Sequence, residues 1–290
     1  MTNDLAGLGV WDGGLRYGDP AQAADAAAEL EELGYTAMWI PDVGGDVFAS
    51  LQNLLAATST AVVATGILNM WMHTPDEVAT RRAELDASAP GRLLLGIGVS
   101  HAALIDMQEA GKYQRPYSHM VEYLDALDAA DPPVPVDGRV LAALGPKMLA
   151  LAAARAAGVH PYLAPPDNTA RTRAAVGPDA LVCPEQPVVL ERDPEVARQI
   201  ARAHLVGYLA LPNYRNNLLR NGIDESDLVD GGSDELVDTL VVWGDEDTIA
   251  ARIAEHRAAG ANHVCIQVLR ADRSELPRAE WRRLAALVPR

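Results

Sequence analysis

Two stretches decide the fold of this chain: Ala64-Thr65-Gly66-Ile67-Leu68-Asn69 and Arg92-Leu93-Leu94-Leu95-Gly96-Ile97-Gly98-Val99-Ser100-His101. Each begins as a short apolar run, reaches glycine and then turns polar, and a stretch of helical character follows. Because glycine lets another group approach the backbone closely, small residues at the ends of successive strands indicate a flat or anionic ligand. The pattern predicts an α/β fold, a (β/α)8 TIM barrel, with a flavin-like cofactor at the carboxyl ends of its strands.

Strand–helix units recur along the chain. The first four strands are predicted at 5–11, 36–40, 61–68 and 93–99. Four later strands, at 140–144, 159–163, 181–189 and 263–269, bring the number to eight. An open doubly wound sheet is the nearest rival, and it would need two edge strands.

The length and composition suit one domain over residues 1–290. Hydrophobic residues make up 49% of the chain, so a large core is available. Helical insertions are expected between the strands, with Gly231-Gly232-Ser233 as an exposed loop in one of them.

Charge and cysteine content narrow the partners and the compartment. The formal net charge of -16 argues against nucleic acid, because no basic stripe is available to neutralise phosphates. Cys183 and Cys265 are well separated, which favours a reducing cytosol over a disulfide scaffold. Met1-Thr2-Asn3-Asp4 lacks the basic start of a signal peptide, and no apolar stretch is long enough to span a bilayer. We therefore expect a soluble cytoplasmic protein with a small-molecule substrate and no membrane partner.

Common catalytic motifs are missing. The Gly96-x-Gly98 pair has His101 where a dinucleotide fingerprint needs its third glycine, and it lies on the fourth strand rather than the first. Gly145-Pro146-Lys147 lacks the other residues of a P-loop. The seven histidines show no spacing typical of metal ligands, so we expect no metal.

The order of several short motifs resembles a known family. These motifs are Gly34-Tyr35-x-x-Met38-Trp39-Ile40-x-Asp42, Thr65-Gly66-Ile67-Leu68-Asn69, Arg92-x-x-Leu95-Gly96-Ile97-Gly98 and Leu144-Gly145-Pro146-x-Met148-Leu149. In these motifs nearly the whole chain resembles the luciferase-like monooxygenase superfamily, and in particular actinobacterial oxidoreductases that use the deazaflavin coenzyme F420. The resemblance implies a TIM barrel with insertions, a bound coenzyme F420 or flavin mononucleotide (FMN), and a homodimer paired through its early helices.

The resemblance also implies which residues surround the cofactor. Asp42 is expected near the ring, where it is alternatively an ordinary loop acid or helix cap. A strand-three bulge with a cis peptide is expected at Gly66–Ile67, behind the ring. The full set of expected cofactor residues is Gly66, Ile67, Leu68, Asn69, Gly98, Val99, Ser100, Ala143, Leu144, Gly145, Thr169 and Arg171. Of these, Thr169 and Arg171 are placed near the phosphate, with an exposed helical face as the other interpretation of Arg171.

His101 takes the position at which some relatives carry a glutamate that donates a proton. An imidazole titrates near neutrality, so His101 is a candidate acid or base, although a neighbour of the ring or a loop residue without a role remain alternatives. Those relatives also have a histidine after the strand-two aspartate, where this chain has Val43.

Four residues are predicted to line a substrate pocket: Trp71, His73, Glu185 and Tyr214. Glu185 stands out as an acid among apolar residues of a predicted strand. Tyr214 belongs to the stretch 208–221, whose Tyr, Asn and Arg side chains are suited either to a substrate pocket or to a subunit interface.

Three functions stay open from the sequence. The first is an F420-dependent oxidoreductase that transfers a hydride between the deazaflavin and an unidentified small organic substrate. The second is a monooxygenase that uses reduced FMN and oxygen. The third is a barrel that binds a ligand without catalysis. The resemblance favours the deazaflavin, with Asp42 and His101 as the catalytic residues.

Overall fold

Parallel strands and helices alternate along the chain in the computed structural model, which describes residues 5–288. Within these residues eleven strands form one sheet: β1 (Gly7–Trp11), β2 (Ala37–Ile40), β3 (Val62–Thr65), β4 (Leu68–Asn69), β5 (Leu93–Gly98), β6 (Arg139–Leu141), β7 (Gly158–Val159), β8 (Leu181–Val182), β9 (Glu185–Val189), β10 (Val242–Trp243) and β11 (His263–Val268). Their order in the sheet is β10-β9-β11-β1-β2-β3-β5-β6-β7-β8, with β4 beside β5. Every pairing is parallel.

The segment 181–189 brings the two ends of this order together. Its first part, β8, pairs with β7, and its second part, β9, pairs with β11. Between them the Cys183 N–H donates to the Val159 carbonyl at 3.0 Å, and the Pro184 carbonyl accepts from the Cys265 N–H at 3.0 Å. The fold is therefore the (β/α)8 TIM barrel that the sequence predicts, with helical insertions.

The number of strands exceeds the predicted eight for a local reason. The predicted strand 61–68 is broken into β3 and β4 at Gly66–Ile67, and the predicted strand 181–189 is broken at Cys183-Pro184, where proline has no N–H to donate. β10 is an additional two-residue strand beside β9. The predicted strands 140–144 and 159–163 are shorter than expected, because the chain leaves the sheet to shape the loops above it.

Thirteen α-helices occur in the same described range: α1 (Gly14–Tyr17), α2 (Pro20–Glu32), α3 (Val47–Ala57), α4 (Pro75–Ser88), α5 (Ala102–Gln108), α6 (Pro116–Ala129), α7 (Pro146–Arg155), α8 (Pro166–Val176), α9 (Pro194–Leu209), α10 (Pro212–Arg220), α11 (Asp234–Leu240), α12 (Glu246–Ala258) and α13 (Arg278–Leu284). Their starts follow from local sequence. Thr74 caps α4 by accepting from the Glu77 N–H, and proline occupies the first position. No helix within residues 5–288 is long and apolar enough to cross a membrane.

Aromatic and imidazole rings fill the inside of the barrel. Trp39 is fully buried and stacks on His160, with ring centroids 4.2 Å apart. The Trp39 indole N–H donates to His263 Nε2 at 3.2 Å. Burial lowers the pKa of His160 to about 4 and that of His263 to about 3, so both rings are neutral at pH 7 and pack as uncharged groups.

Helices α9, α10 and α11 form the insertion between β9 and β10, and they have a small apolar core of their own. The prediction of an exposed loop at 231–233 is wrong. Gly231 and Gly232 are buried with φ angles of 82° and 101°, a conformation that glycine adopts without strain, and the turn lies against Arg202 of α9.

Gly96 of β5 provides a test of how closely β3 and β5 approach. A Cβ added at Gly96 would lie 2.0 Å from the Thr65 carbonyl oxygen, which is backbone and has no room to move away. We expect Gly96→Ala to lower the free energy of unfolding by about 3 kcal/mol in urea denaturation. Gly207→Ala is the matched control, since no atom lies within 4 Å of its added Cβ and the residue is helical. The control should gain about 0.5 kcal/mol. Equal stability of the two variants would contradict the close approach.

Candidate active site

A cavity of about 560 Å³ lies at the carboxyl ends of the strands. Loops after β1, β2, β3, β5, β6 and β7 form its floor and walls, and helices α9 and α10 form its roof. The position is the one at which TIM barrels carry their active sites. It is lined by Trp11, Pro41, Asp42, Val43, Gly66, Ile67, Val99, Ser100, His101, Leu104, Ala142, Ala143, Leu144, Gly145, Met148, His160, Tyr162, Gly207, Tyr208, Leu211, Asn213, Tyr214, Asn216 and Arg220.

The floor is built around Gly66. The Gly66–Ile67 peptide is cis, as the family resemblance implies. The Trp11 indole N–H donates to the Gly66 carbonyl at 3.1 Å. A Cβ at Gly66 would lie 2.4 Å from Trp11 Nε1 and 3.0 Å from His160 Nε2, so a side chain there would clash with the rings that form the floor. His160 Nε2 is buried without a hydrogen-bond partner in the described structure.

Asp42 lines one wall with a carboxylate that is only half satisfied. Its Oδ2 accepts from the Asn69 N–H and from His73 Nε2, each at 3.0 Å. Its Oδ1 is buried and has no partner among the described residues. A buried carboxylate oxygen without a donor is costly, and a ligand in the cavity can supply the missing hydrogen bond.

His73 lies behind Asp42 rather than in the cavity. Its Nδ1 faces the Glu77 carboxylate at 3.6 Å, one turn into α4. Burial lowers the pKa of His73, but the hydrogen bond and charge of Asp42 and the charge of Glu77 outweigh it, so the pKa is raised overall.

The wall that follows β5 holds His101. Ser100 has a φ of 53°, which turns the chain so that its carbonyl accepts from Asn213 Nδ2 and from the Tyr113 hydroxyl, both at 3.4 Å. His101 lies beside Tyr214 with ring centroids 5.4 Å apart. Burial lowers the pKa of His101, so the neutral imidazole is the form that faces the cavity at pH 7.

A cluster of three tyrosines closes the roof. Tyr162, Tyr208 and Tyr214 have ring centroids 5.2 to 6.2 Å apart. The Tyr162 hydroxyl lies 2.7 Å from Gln267 Oε1 and 3.0 Å from the Tyr208 hydroxyl. The polar stretch predicted at 208–221 thus contributes to the cavity, and its alternative role at a subunit interface stays a prediction.

Ten of the residues predicted for the site line this cavity: Asp42, Gly66, Ile67, Val99, Ser100, His101, Ala143, Leu144, Gly145 and Tyr214. Three others support it from behind. Leu68 and Asn69 form β4, and Asn69 holds Asp42. Gly98 makes room for Ile67, because a Cβ at Gly98 would lie 1.9 Å from Ile67 Cδ1.

The remaining five predicted residues neither line the cavity nor support its wall through β4 or Gly98. His73 is one of them, because its ring pairs with Asp42. Trp71 donates to the Val99 carbonyl at 2.8 Å and stacks on His119. The Thr169 hydroxyl is fully buried against His256 Nδ1 at 2.9 Å. Arg171 lines a separate cleft on the insertion. Glu185 is fully buried under the cavity, with Oε2 accepting from the Leu163 N–H and Oε1 unpaired.

Fourteen lining residues are absent from the predicted set of site residues, and three of them bear on the chemistry: Trp11, His160 and Arg220, the last of which belongs to the stretch 208–221 that was predicted for a substrate pocket or a subunit interface. Trp11 and His160 follow β1 and β7, and their position at strand ends was the available signal. Arg220 lies at the end of α10, and it carries the only positive charge among the described lining residues apart from a protonated histidine. An added Cβ at Gly145 would lie 3.7 Å from Arg220 Nη2, so the Arg220 guanidinium lies next to the start of α7.

The fold and this cavity define a TIM-barrel protein with a ligand site at the carboxyl ends of its strands. The luciferase-like monooxygenase family model matches residues 5–263. The chain therefore belongs to the luciferase-like monooxygenase family, which agrees with the resemblance in its motifs.

Curated relatives come from mycobacteria. An uncharacterized protein of Mycobacterium tuberculosis is 34% identical over 111 residues, and the match spans 38% of this chain and 32% of that protein. A putative coenzyme F420-dependent oxidoreductase of the same organism is 24% identical, across 93% of this chain and 95% of that protein.

Solved structures share the fold at low sequence identity. An F420-dependent secondary alcohol dehydrogenase with a bound F420-acetone adduct has a TM-score of 0.76 at 16% identity, and the match covers 98% of each chain. The FMN-bound oxygenating constituent of the 3,6-diketocamphane monooxygenase from Pseudomonas putida has a TM-score of 0.69 at 15% identity, covering 97% of this chain and 96% of the other.

The buried Glu185 generates a pH-dependent stability. Burial raises its pKa to about 8, so between the ordinary value of 4.5 and pH 8 the folded chain holds a proton that the unfolded chain has lost. On account of this group, stability falls as pH rises through that window, by up to about 1.4 kcal/mol per pH unit. Urea unfolding is measured at pH 5 and pH 8. The free energy of unfolding of Glu185→Gln, relative to that of the wild type, should therefore be higher at pH 8 than at pH 5. The exposed Glu32→Gln should show no such gain, and a gain of equal size in both variants would refute the assignment.

Proposed function

We propose that the protein is a coenzyme F420-dependent oxidoreductase that transfers a hydride between the deazaflavin and a small organic substrate. The observation that carries the proposal is the floor of the cavity, where Gly66 has no side chain and Trp11 and His160 lie close to its backbone. Two buried polar atoms have no partner among the described residues: His160 Nε2 in this floor and Asp42 Oδ1 in the wall beside it. A planar heterocycle with donors and acceptors at its edge satisfies both atoms and covers the floor. The match to a putative F420-dependent oxidoreductase along 93% of the chain supports the same assignment.

The residues at one end of the cavity suit an anionic tail. Gly145 precedes α7, whose first turn has no side-chain cap, so its backbone N–H groups are free to bind an anion. Arg220 adds a positive charge above the same turn. Backbone N–H groups and a guanidinium together are the donors that phosphate and carboxylate groups prefer.

The bound deazaflavin would supply a hydride carried on carbon. The protein's share is to hold the substrate over the floor, to exclude water with the roof of tyrosines and to exchange a proton. Asp42 and His101 are the candidate catalytic residues, because both face the cavity and each offers a titratable group. The neutral His101 is suited to hydrogen-bond a substrate oxygen, and the unpaired Asp42 Oδ1 is suited to the proton transfer.

We further propose a homodimer and a cytoplasmic location. The family resemblance supports the first, and two widely spaced cysteines without a disulfide support the second. Sedimentation of the purified protein tests the dimer, with a monomer at micromolar concentration as the contrary result.

A binding titration tests the proposed cofactor. The purified protein is titrated with coenzyme F420 and, in parallel, with FMN, and quenching of tryptophan fluorescence is followed, since Trp11 lines the cavity. We expect micromolar binding of F420 with little response to FMN. Preferential binding of FMN would point instead to an oxygen-using monooxygenase. No quenching by either cofactor would favour a barrel without catalysis.

Arg220 and Arg215 are a matched pair on α10 for the same titration. Arg220→Gln removes the charge above α7 and should raise the dissociation constant for F420 about tenfold, as the loss of a charged hydrogen bond implies. Arg215 pairs with Glu225 outside the cavity, so Arg215→Gln should leave the constant within about twofold. An equal effect of the two substitutions would show that only overall charge matters.

A further inference from the structure

A line of titratable groups runs from the cavity to the surface behind Asp42. Asp42 lines the cavity, its Oδ1 is buried without a hydrogen-bond partner among the described residues, and its Oδ2 lies 3.0 Å from His73 Nε2. The opposite ring nitrogen of His73, Nδ1, has no hydrogen bond and faces the Glu77 carboxylate at 3.6 Å. The exposed fraction of the side chain is 0% for Asp42, 9% for His73 and 47% for Glu77. The three groups thus pass from fully buried to half exposed in sequence.

The packing around His73 holds the ring in this line. The Phe48 ring of α3 meets it edge-on at 5.6 Å, and the Tyr123 hydroxyl of α6 donates to the His73 carbonyl at 3.0 Å. The titratable groups that face the ring are therefore Asp42 after β2, Glu77 on α4 and Tyr123 on α6. Burial and the same two acids raise the pKa of Tyr123 well above its ordinary value, so it stays neutral and does not compete for the proton.

We infer that Asp42, His73 and Glu77 form a proton relay that connects the cavity with solvent, with Asp42 as the group that meets the substrate and His73 as the positioning and reloading residue. This inference rests on the proposed function. It assigns the route of the proton, whereas the hydride transfer alone leaves that route open.

The chemistry balances for reduction of a carbonyl-type substrate. The hydride would come from a C–H bond of the reduced deazaflavin, which is oxidised as that bond breaks. The new C–H bond forms at the electrophilic carbon of the substrate, and the electron pair of the C=O double bond moves to oxygen. That oxygen takes a proton from Asp42, Asp42 is reprotonated from His73 Nε2, and His73 takes one proton from solvent at Nδ1, beside Glu77. The pair of Asp42 and His73 is neutral before and after the step, which avoids an isolated buried charge. Oxidation of an alcohol uses the same steps in reverse.

The electrostatics agree with this arrangement. The two carboxylates raise the pKa of His73 in spite of its burial, so they favour the protonated form of the ring. A group that reloads a proton needs both forms to be accessible, and an unpaired buried histidine would not offer them.

Histidine NMR titration with and without oxidised coenzyme F420 tests the relay. His73→Gln identifies the resonance. In the wild type without cofactor we expect a midpoint for His73 above 6.5, and Asp42→Asn should lower it by about one pH unit or more. Bound F420 should raise the wild-type midpoint, because a filled cavity lowers the local dielectric and strengthens the attraction between the Asp42 carboxylate and the protonated His73.

Calorimetry gives a second readout that needs no substrate. Titrations of F420 into the protein near pH 7, in buffers of different ionisation enthalpy, count the protons taken up on binding. The wild type and the control Glu84→Gln, an exposed acid also on α4, should take up protons, while His73→Gln should lose this uptake with its dissociation constant changed less than about twofold. His73→Asn serves as a second variant if His73→Gln folds poorly.

The outcomes separate the relay from the proposed function. If F420 binds but neither the His73 midpoint nor the proton uptake responds, the relay is wrong and the oxidoreductase assignment stands. If neither F420 nor FMN binds, the proposed function fails and the relay fails with it. A shifted midpoint together with proton uptake that depends on His73 supports both.

Discussion

The hydrogen bond from the Trp11 indole to the Gly66 carbonyl, 3.1 Å long, joins the end of the first strand to the break in the third. The contact exists only because Gly66 has no side chain, since a Cβ would lie 2.4 Å from Trp11 Nε1. Gly96 and Gly98 play the same part on the next strand, against Thr65 and Ile67. Close packing of backbone against backbone and ring is what gives the barrel a flat floor for a ligand.

The insertion turns that floor into a cavity. Helices α9 and α10 place Tyr208 and Tyr214 above the strand ends and bring Arg220 over the start of α7. A chain with a net charge of -16 repels an anionic ligand at long range, so a local positive charge at the mouth matters more than it would on a neutral protein. Enclosure also lowers the local dielectric, which strengthens each polar contact within.

Asp42 lies between the cavity and the group of titratable residues behind it. One of its oxygens accepts hydrogen bonds from Asn69 and His73, and the other is buried without a partner among the described residues. The imidazole that contacts Asp42 is not adjacent to it in the chain. The chain has Val43 where some relatives carry a histidine next to the aspartate, and here the imidazole comes from His73, beyond the strand-three break.

The sequence alone was enough to predict the barrel fold, the capped helix start at Thr74 and the glycine strand ends. The patterns that predict them, which are strand–helix alternation, capping residues and glycine after an apolar run, involve residues that are neighbours in the chain. Thr74 caps its helix and Gly66 sits at its strand end whatever surrounds them. Only the tertiary structure decided which side chains meet. Thr169 and Glu185 do not line the cavity, and the partners that hold them, His256 and Leu163, are distant in sequence. Direction and pairing of side chains depend on packing between elements, which local pattern does not encode.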